Sequence, residues 1–168
     1  MAKQARKAKK TKPASRARRK LPAQRRGAPA KPAAKPHKKR QISKQTFVAS
    51  HHSPGAFEVG LRRYAHYRDL GIASATNGMV RAHVIKFVPP FVAAEVSKRH
   101  YHDVEFQMVY VLKGWMTSEF EGQGAITMRE GSCWIQPPKI KHTVLDYSDD
   151  CEVLEIILPA DFDTVELE

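Results

Sequence analysis

The sequence predicts an all-β domain, and two observations carry that prediction. From about Phe57 onward, short apolar runs are separated by Gly, Pro and Asp turns at nearly even spacing, and no long segment repeats at the helical period of 3.6 residues. Several runs are also apolar at both odd and even positions. In residues 106–112, the set Phe106, Met108, Tyr110, Leu112 and the set Val109, Val111 are all residue types that favour burial. Strands covered on both faces belong in a double-layered jelly roll or a closed barrel rather than in an open, half-solvated sheet.

The elements follow in order. Residues 61–78, "LRRYAHYRDLGIASATNG", fit either an entry strand or a short helix stopped at Gly71, within an entry segment (47–78) that packs on the barrel. The barrel itself (79–168) opens with "MVRAHVIKFVPP", whose closing prolines end a strand. "EFQMVYVLKG", "WMTSEFEGQG" and "AITMREG" end at Gly114, Gly124 and Gly131, residues that tolerate the positive φ of hairpin turns. "SCWIQPP", "KHTVLDYSDD" and "EVLEIILP" complete the set, each closed by Pro or Asp.

Charge divides the chain in two. Residues 1–44 hold 18 of the 29 Lys and Arg and no acid, so the remainder carries 11 basic and 17 acidic residues, a balance of 11 − 17 = −6. The basic part has no aromatic residue before Phe47 and repeats Lys, Ala and Pro, so it cannot bury enough apolar area to offset chain entropy. We read residues 1–46 as a disordered tail suited to non-specific contact with nucleic-acid phosphates through residues 1–44, or to solubilisation alone. No apolar run reaches the length of a membrane span, and no apolar h-region follows the charged start, so a cytoplasmic protein is expected. Cys133 and Cys151 lie in apolar, strand-like surroundings and read as buried thiols. No Ser-His-Asp order and no Gly-rich phosphate loop is visible.

Chemistry concentrates in "RHYHDVEFQMVYVLKG". On a strand, residues i and i+2 share a face, so His100 and His102 project together as an imidazole pair for a first-row divalent metal. His142, just beyond "QPPKIK", is placed to add a third imidazole from a neighbouring strand. Gln107 has the wrong parity relative to His102, and joins them only if a bulge or bend intervenes near residues 103–105.

The combined spacing, HxH, four residues, Gln107, six residues, Gly114, and then Gly131, five residues, Pro137, four residues, His142, resembles the two motifs of the cupin superfamily, HxHx(3,4)E then x(6)G and Gx(5)PxGx(2)H. The resemblance covers roughly Val80 to Pro159, and the short stretch between Gly114 and Gly131 suits a small single-domain cupin. It implies a jelly roll of six to eight strands with a metal near its centre. His100, His102 and His142 then match the imidazole ligands, and Gln107 stands where the family has a ligating Glu. Ala94 replaces the leading Gly, and Lys139 replaces the turn Gly of the second motif, which implies a Lys at positive φ.

A Gln carbonyl is neutral and a weaker ligand than a carboxylate. The site would keep its full positive charge, favouring direct binding of a thiolate, carboxylate or enolate, and three neutral imidazoles with open positions resemble the iron sites of cupin thiol dioxygenases. Fe, Mn, Ni and Zn all suit such donors. Arg81, His83, Tyr110 and Trp134 are candidate substrate-binding residues, with Trp115 and Glu119 further polar or aromatic strand positions. The expected function is a metal-dependent, oxygenase-like enzyme acting on a small anionic organic molecule; the alternative is a non-catalytic ligand-binding barrel tethered to nucleic acid by the tail. The resemblance also implies a homodimer, for which the apolar run "VLEIILP" offers a surface.

Overall fold

The computed structural model describes residues 44–168, apart from Pro54 and Leu61. All but the last three residues of the predicted tail lie outside the described residues. The strands are β1 (Glu58–Val59), β2 (Ala65–Asp69), β3 (Arg81–Phe87), β4 (His100–Asp103), β5 (Phe106–Lys113), β6 (Trp115–Phe120), β7 (Gly124–Arg129), β8 (Cys133–Ile135), β9 (His142–Tyr147), β10 (Glu152–Leu158) and β11 (Asp163–Glu166), with one-turn helices α1 (Ile72–Ala75) and α2 (Ala93–Val96). They form two antiparallel sheets, a six-stranded one in the order β1-β2-β3-β10-β5-β8 and a five-stranded one in the order β11-β4-β9-β6-β7. The fold is an all-β jelly roll, as the alternating apolar runs predict. Residues 79–168 hold nine strands, β3 to β11, against the six to eight implied, and β1 and β2 from the entry segment extend the six-stranded sheet.

Alternation decides which side chains turn inward. On β6, Met116, Ser118 and Phe120 are buried while Glu119 is exposed. On β5, Gln107, Val109 and Val111 are buried, and on β10 Val153 and Ile157. Residues from both sheets, among them Phe87, Val111, Met116, Phe120, Tyr147 and Val153, meet in one core between them. On β9 the period breaks: His142 and Tyr147 have opposite parity yet are both buried. The register opposite β6 shifts between Thr117 and Ser118, leaving Leu145 as the extra residue of a bulge.

Four expectations change. Gly71 does not stop a helix; at φ 73 it closes the turn after β2 and opens α1. The outer face of β5 is less covered than its composition suggests, with Tyr110 37% and Leu112 40% exposed. Cys151 is buried, but Cys133 is exposed on the edge strand β8, and both are free thiols. "VLEIILP" is β10, hydrogen-bonded to β3 on one side and β5 on the other, so it has no free edge to offer a second copy. Lys139 does adopt φ 62 at the turn where the Gly is missing. Among the described residues, no helix is long and apolar enough to cross a membrane.

Candidate metal centre

β4 brings His100 and His102 to one face, and the register of β4 against β9 sets His142 directly opposite His100. One nitrogen from each of the three imidazoles lies within 4.8 Å of the others. The ring centroids are 4.3 Å apart for His100 and His142, 5.0 Å for His100 and His102, and 5.2 Å for His102 and His142. Phe120 stacks on His142 and Phe162 lies edge-on to His102, fixing the rings from outside.

Each Nδ1 already has a partner. His100 Nδ1 donates to the Lys98 carbonyl at 2.7 Å, and His142 Nδ1 to the Ile140 carbonyl at 3.0 Å. His102 Nδ1 lies 2.8 Å from Thr164 Oγ1, on the paired strand β11. Bonds of this kind select the tautomer that leaves Nε2 as a lone-pair donor. His142 Nε2 has one competitor, the buried Gln136 amide nitrogen at 3.0 Å.

Burial is the main reason that all three imidazoles resist protonation. It pushes His100 down to about 3, against the bond to Lys98, and His102 down to about 4, against the charge of Glu155. His142 is lowered for the same reason. Three neutral Nε2 donors, each anchored through its other nitrogen, fit a divalent first-row metal.

Gln107 is 1% exposed, and its Nε2 donates to Glu155 Oε1 at 2.6 Å. The parity conflict with His102 disappears because the chain leaves the five-stranded sheet after Asp103 and enters the six-stranded sheet at Phe106. The bend falls at Val104 and Glu105, where the sequence requires one. Glu155 itself was not foreseen. It lies cross-strand from His83, whose Nε2 is 2.7 Å from Glu155 Oε2, so both carboxylate oxygens are engaged. Burial raises the carboxyl, but the His83 and Gln107 hydrogen bonds outweigh it and hold Glu155 below the usual range. The signal was present: Glu155 shares inward parity with Val153 and Ile157, where an acid is out of place.

A cavity of about 710 Å³ opens beside the three histidines. Of the predicted substrate-binding residues, Arg81, His83 and Trp134 line it and Tyr110, on the outward face of β5, does not. Trp115 and Glu119 lie on the opposite side of β6 from the lining residues Met116 and Ser118. Arg62, Tyr67 and Glu155 complete the polar wall, and burial pushes the Tyr67 hydroxyl up to about 12.

A sequence model described as "Cupin domain" matches residues 91–157. Among solved structures, the fold is similar to the polyketide cyclase RemF from Streptomyces resistomycificus, with a TM-score of 0.59 and 16% identity over 73% of this chain and 87% of that one. It is similar to KdgF from Halomonas sp., with a TM-score of 0.50 and 19% identity over 61% and 86%. Salicylate 1,2-dioxygenase from Pseudoaminobacter salicylatoxidans gives 0.51 and 7% identity over 64% of this chain and 30% of that one. At such identities the likeness is one of fold. No curated protein matches in sequence. The match over residues 91–157, the two facing sheets and the clustered histidines together support a cupin superfamily domain in this chain.

Proposed function

We propose that this cupin holds a divalent transition metal, Fe, Mn, Ni or Zn, through His100, His102 and His142, and acts on a small anionic organic molecule in the adjoining cavity with oxygenase-like chemistry. The carrying observation is the set of three neutral imidazoles whose nitrogens lie within 4.8 Å of one another. When bound, such an ion supplies Lewis acidity and open positions for an anionic donor. Lys98, Ile140 and Thr164 hold the ligand rings in place. Gln107 orients Glu155 through its amide nitrogen, which leaves its amide oxygen, the atom a metal would take, as a weak fourth donor. Tyr147, Phe120 and Phe87 close the apolar base of the barrel against water.

The test is the metal content of protein purified without chelator or His-tag, beside a His100→Ala/His102→Ala variant. Near-stoichiometric metal in the wild type and its absence from the variant are expected. Protein that stays empty after incubation with each metal overturns the reading.

A second reading, a barrel that binds a small ligand without turning it over, draws support from Gln107, because among the described residues no carboxylate joins the three-histidine cluster. Oxygen consumption with candidate thiols and enols separates the two. A binding module raises its melting temperature with ligand and consumes nothing.

A further inference from the structure

The cavity wall holds a fourth imidazole, bonded in the opposite sense to the three in the cluster. His83 on β3 and Glu155 on β10 are register partners, and both line the cavity. His83 Nε2 lies 2.7 Å from Glu155 Oε2, and the two side chains are only 12% and 13% exposed. The other carboxylate oxygen accepts from Gln107 Nε2 at 2.6 Å, and the Tyr67 ring stands edge-on to the imidazole with centroids 5.4 Å apart. An ionised carboxylate only accepts hydrogen bonds, so the His83 proton sits on Nε2 and Nδ1 keeps its lone pair.

His100, His102 and His142 commit Nδ1 to neighbouring oxygens; His83 commits Nε2 instead. Among the described residues, His83 Nδ1 has no hydrogen-bond partner. It is not sealed either, because the buried side-chain atoms left without a partner are Arg68 Nε and Trp134 Nε1. Stability alone does not account for the pair. A buried ion pair adds little net stability, and Glu155 occupies an inward position between Val153 and Ile157 that an apolar residue fills without that cost. What the pair supplies is a base: the carboxylate fixes the tautomer, aims the ring and stabilises the imidazolium formed when Nδ1 takes a proton.

We propose that His83, held by Glu155, is the proton-transfer residue of the cavity, its Nδ1 taking a proton from the carbon beside the carbonyl of a small enolisable keto acid. This rests on the three-histidine reading and adds the substrate class and the group that activates it. A divalent ion acidifies a water, alcohol or thiol bound to it without help, whereas a C–H bond needs a separate, aimed base. The C–H electron pair becomes the second bond of an enolate C=C, the carbonyl π pair moves onto oxygen, and the proton stays on Nδ1 beside the Glu155 carboxylate. Return of a solvent-derived proton through the same nitrogen restores the ketone, so the step needs no oxidant or further reactant.

The experiment follows hydrogen–deuterium exchange in D2O by proton NMR, with pyruvate and 2-oxobutanoate as probes and Zn(II)-loaded full-length protein against a blank of free Zn(II). Wild type is expected to exchange the protons beside the carbonyl of at least one probe faster than the blank. His83→Gln is expected to slow that exchange by about 100-fold or more at unchanged metal content. Ring-nitrogen NMR of the wild type is expected to show His83 as the Nε2–H form, with an Nδ1 signal that moves when 2-oxobutanoate is added. No exchange by loaded wild type, or equal exchange by His83→Gln, overturns the proposal, while the bound zinc leaves the three-histidine reading standing. If zinc does not bind, that reading fails, and metal-free protein decides: exchange that is lost in His83→Gln upholds the base, and any other result overturns it. Should His83→Gln fail to fold, the ring-nitrogen spectrum decides, since an Nδ1–H form or an unmoved signal overturns the assignment.

Discussion

At the scale of single residues, Gln107 and Glu155 form a hydrogen-bonded pair that a carboxylate at position 107 would break. A glutamate introduced there would meet Glu155 at the distance where Gln107 Nε2 now donates, and two buried carboxylates in contact cannot both stay ionised. Gln107→Glu is therefore expected to lower stability by about 2 kcal/mol or more, and Glu155→Gln by about 1–3 kcal/mol through the lost acceptor for His83. The double variant recovers part of the loss, because one amide and one carboxylate again face each other, and urea unfolding of the four proteins reads that coupling. The three clustered histidines set a separate pH dependence. With folded values depressed to about 3 for His100 and about 4 for His102, the unfolded chain takes up protons below about pH 6.5 while the native state does not. The stability of metal-free protein is therefore full above that pH and falls as pH drops toward 4, by up to about 1.4 kcal/mol per pH unit for each histidine. Unfolding midpoints at pH 7, 6 and 5 follow this slope, and a His100→Gln/His102→Gln variant flattens it. That His100 and His102 share a face was legible from strand parity, whereas His142 joined them only through the resemblance of the combined spacing to the two cupin motifs. Arg62, in the cavity wall, was not legible, because a lone arginine in a turn has no periodicity to distinguish it from the surface.

Among the elements, turns were easier to locate than to rank. Gly114 and Gly131 both adopt positive φ, 68° and 84°, so an added Cβ costs backbone strain at either. Their surroundings differ. A Cβ at Gly114 would collide with Ser148 Oγ, lie 2.6 Å from Asp150 Oδ1 and press on the Cys151 backbone at 3.2 Å, whereas at Gly131 the nearest atom is the Tyr110 hydroxyl at 4.0 Å. Gly131→Ala is expected to cost about 1 kcal/mol and Gly114→Ala clearly more, within or above the range of about 1–3 kcal/mol for a strained backbone position. Thermal melting of the two variants gives the order, and equal losses would mean that the β9–β10 connection yields at no cost. The strands from β3 to β10 were readable because inward and outward positions alternate, as at Met116, Ser118 and Phe120. The bulge at Leu145 and the change of sheet at Val104 and Glu105 were not, or only as a parity conflict, since both depend on a partner strand that local sequence does not name. β1 has two residues and β11 only four, too short for a period to show.

For the whole molecule, the strongest feature of the sequence is the separation of charge, with 18 Lys and Arg before residue 45 and a balance of −6 after it. An acidic barrel repels a polyanion, so any affinity for nucleic acid has to reside in the basic segment. Such binding is a counterion-release effect: each phosphate neutralised frees condensed cations, and affinity falls linearly with the logarithm of salt concentration, with a slope that counts the contacts. The full chain is therefore expected to shift DNA of unrelated sequences equally in a low-salt gel assay and to lose most of that binding between roughly 50 and 200 mM salt. A chain lacking residues 1–44 should bind none under the same conditions while retaining the metal content of the full protein. Were the truncated protein to bind as tightly, the interaction would lie on the barrel, against its charge, and the tail would be a solvating extension. Were binding to depend on sequence or to persist at high salt, base-edge contacts would be required, and a segment of Lys, Arg, Ala and Pro without an aromatic residue has few groups with which to make them.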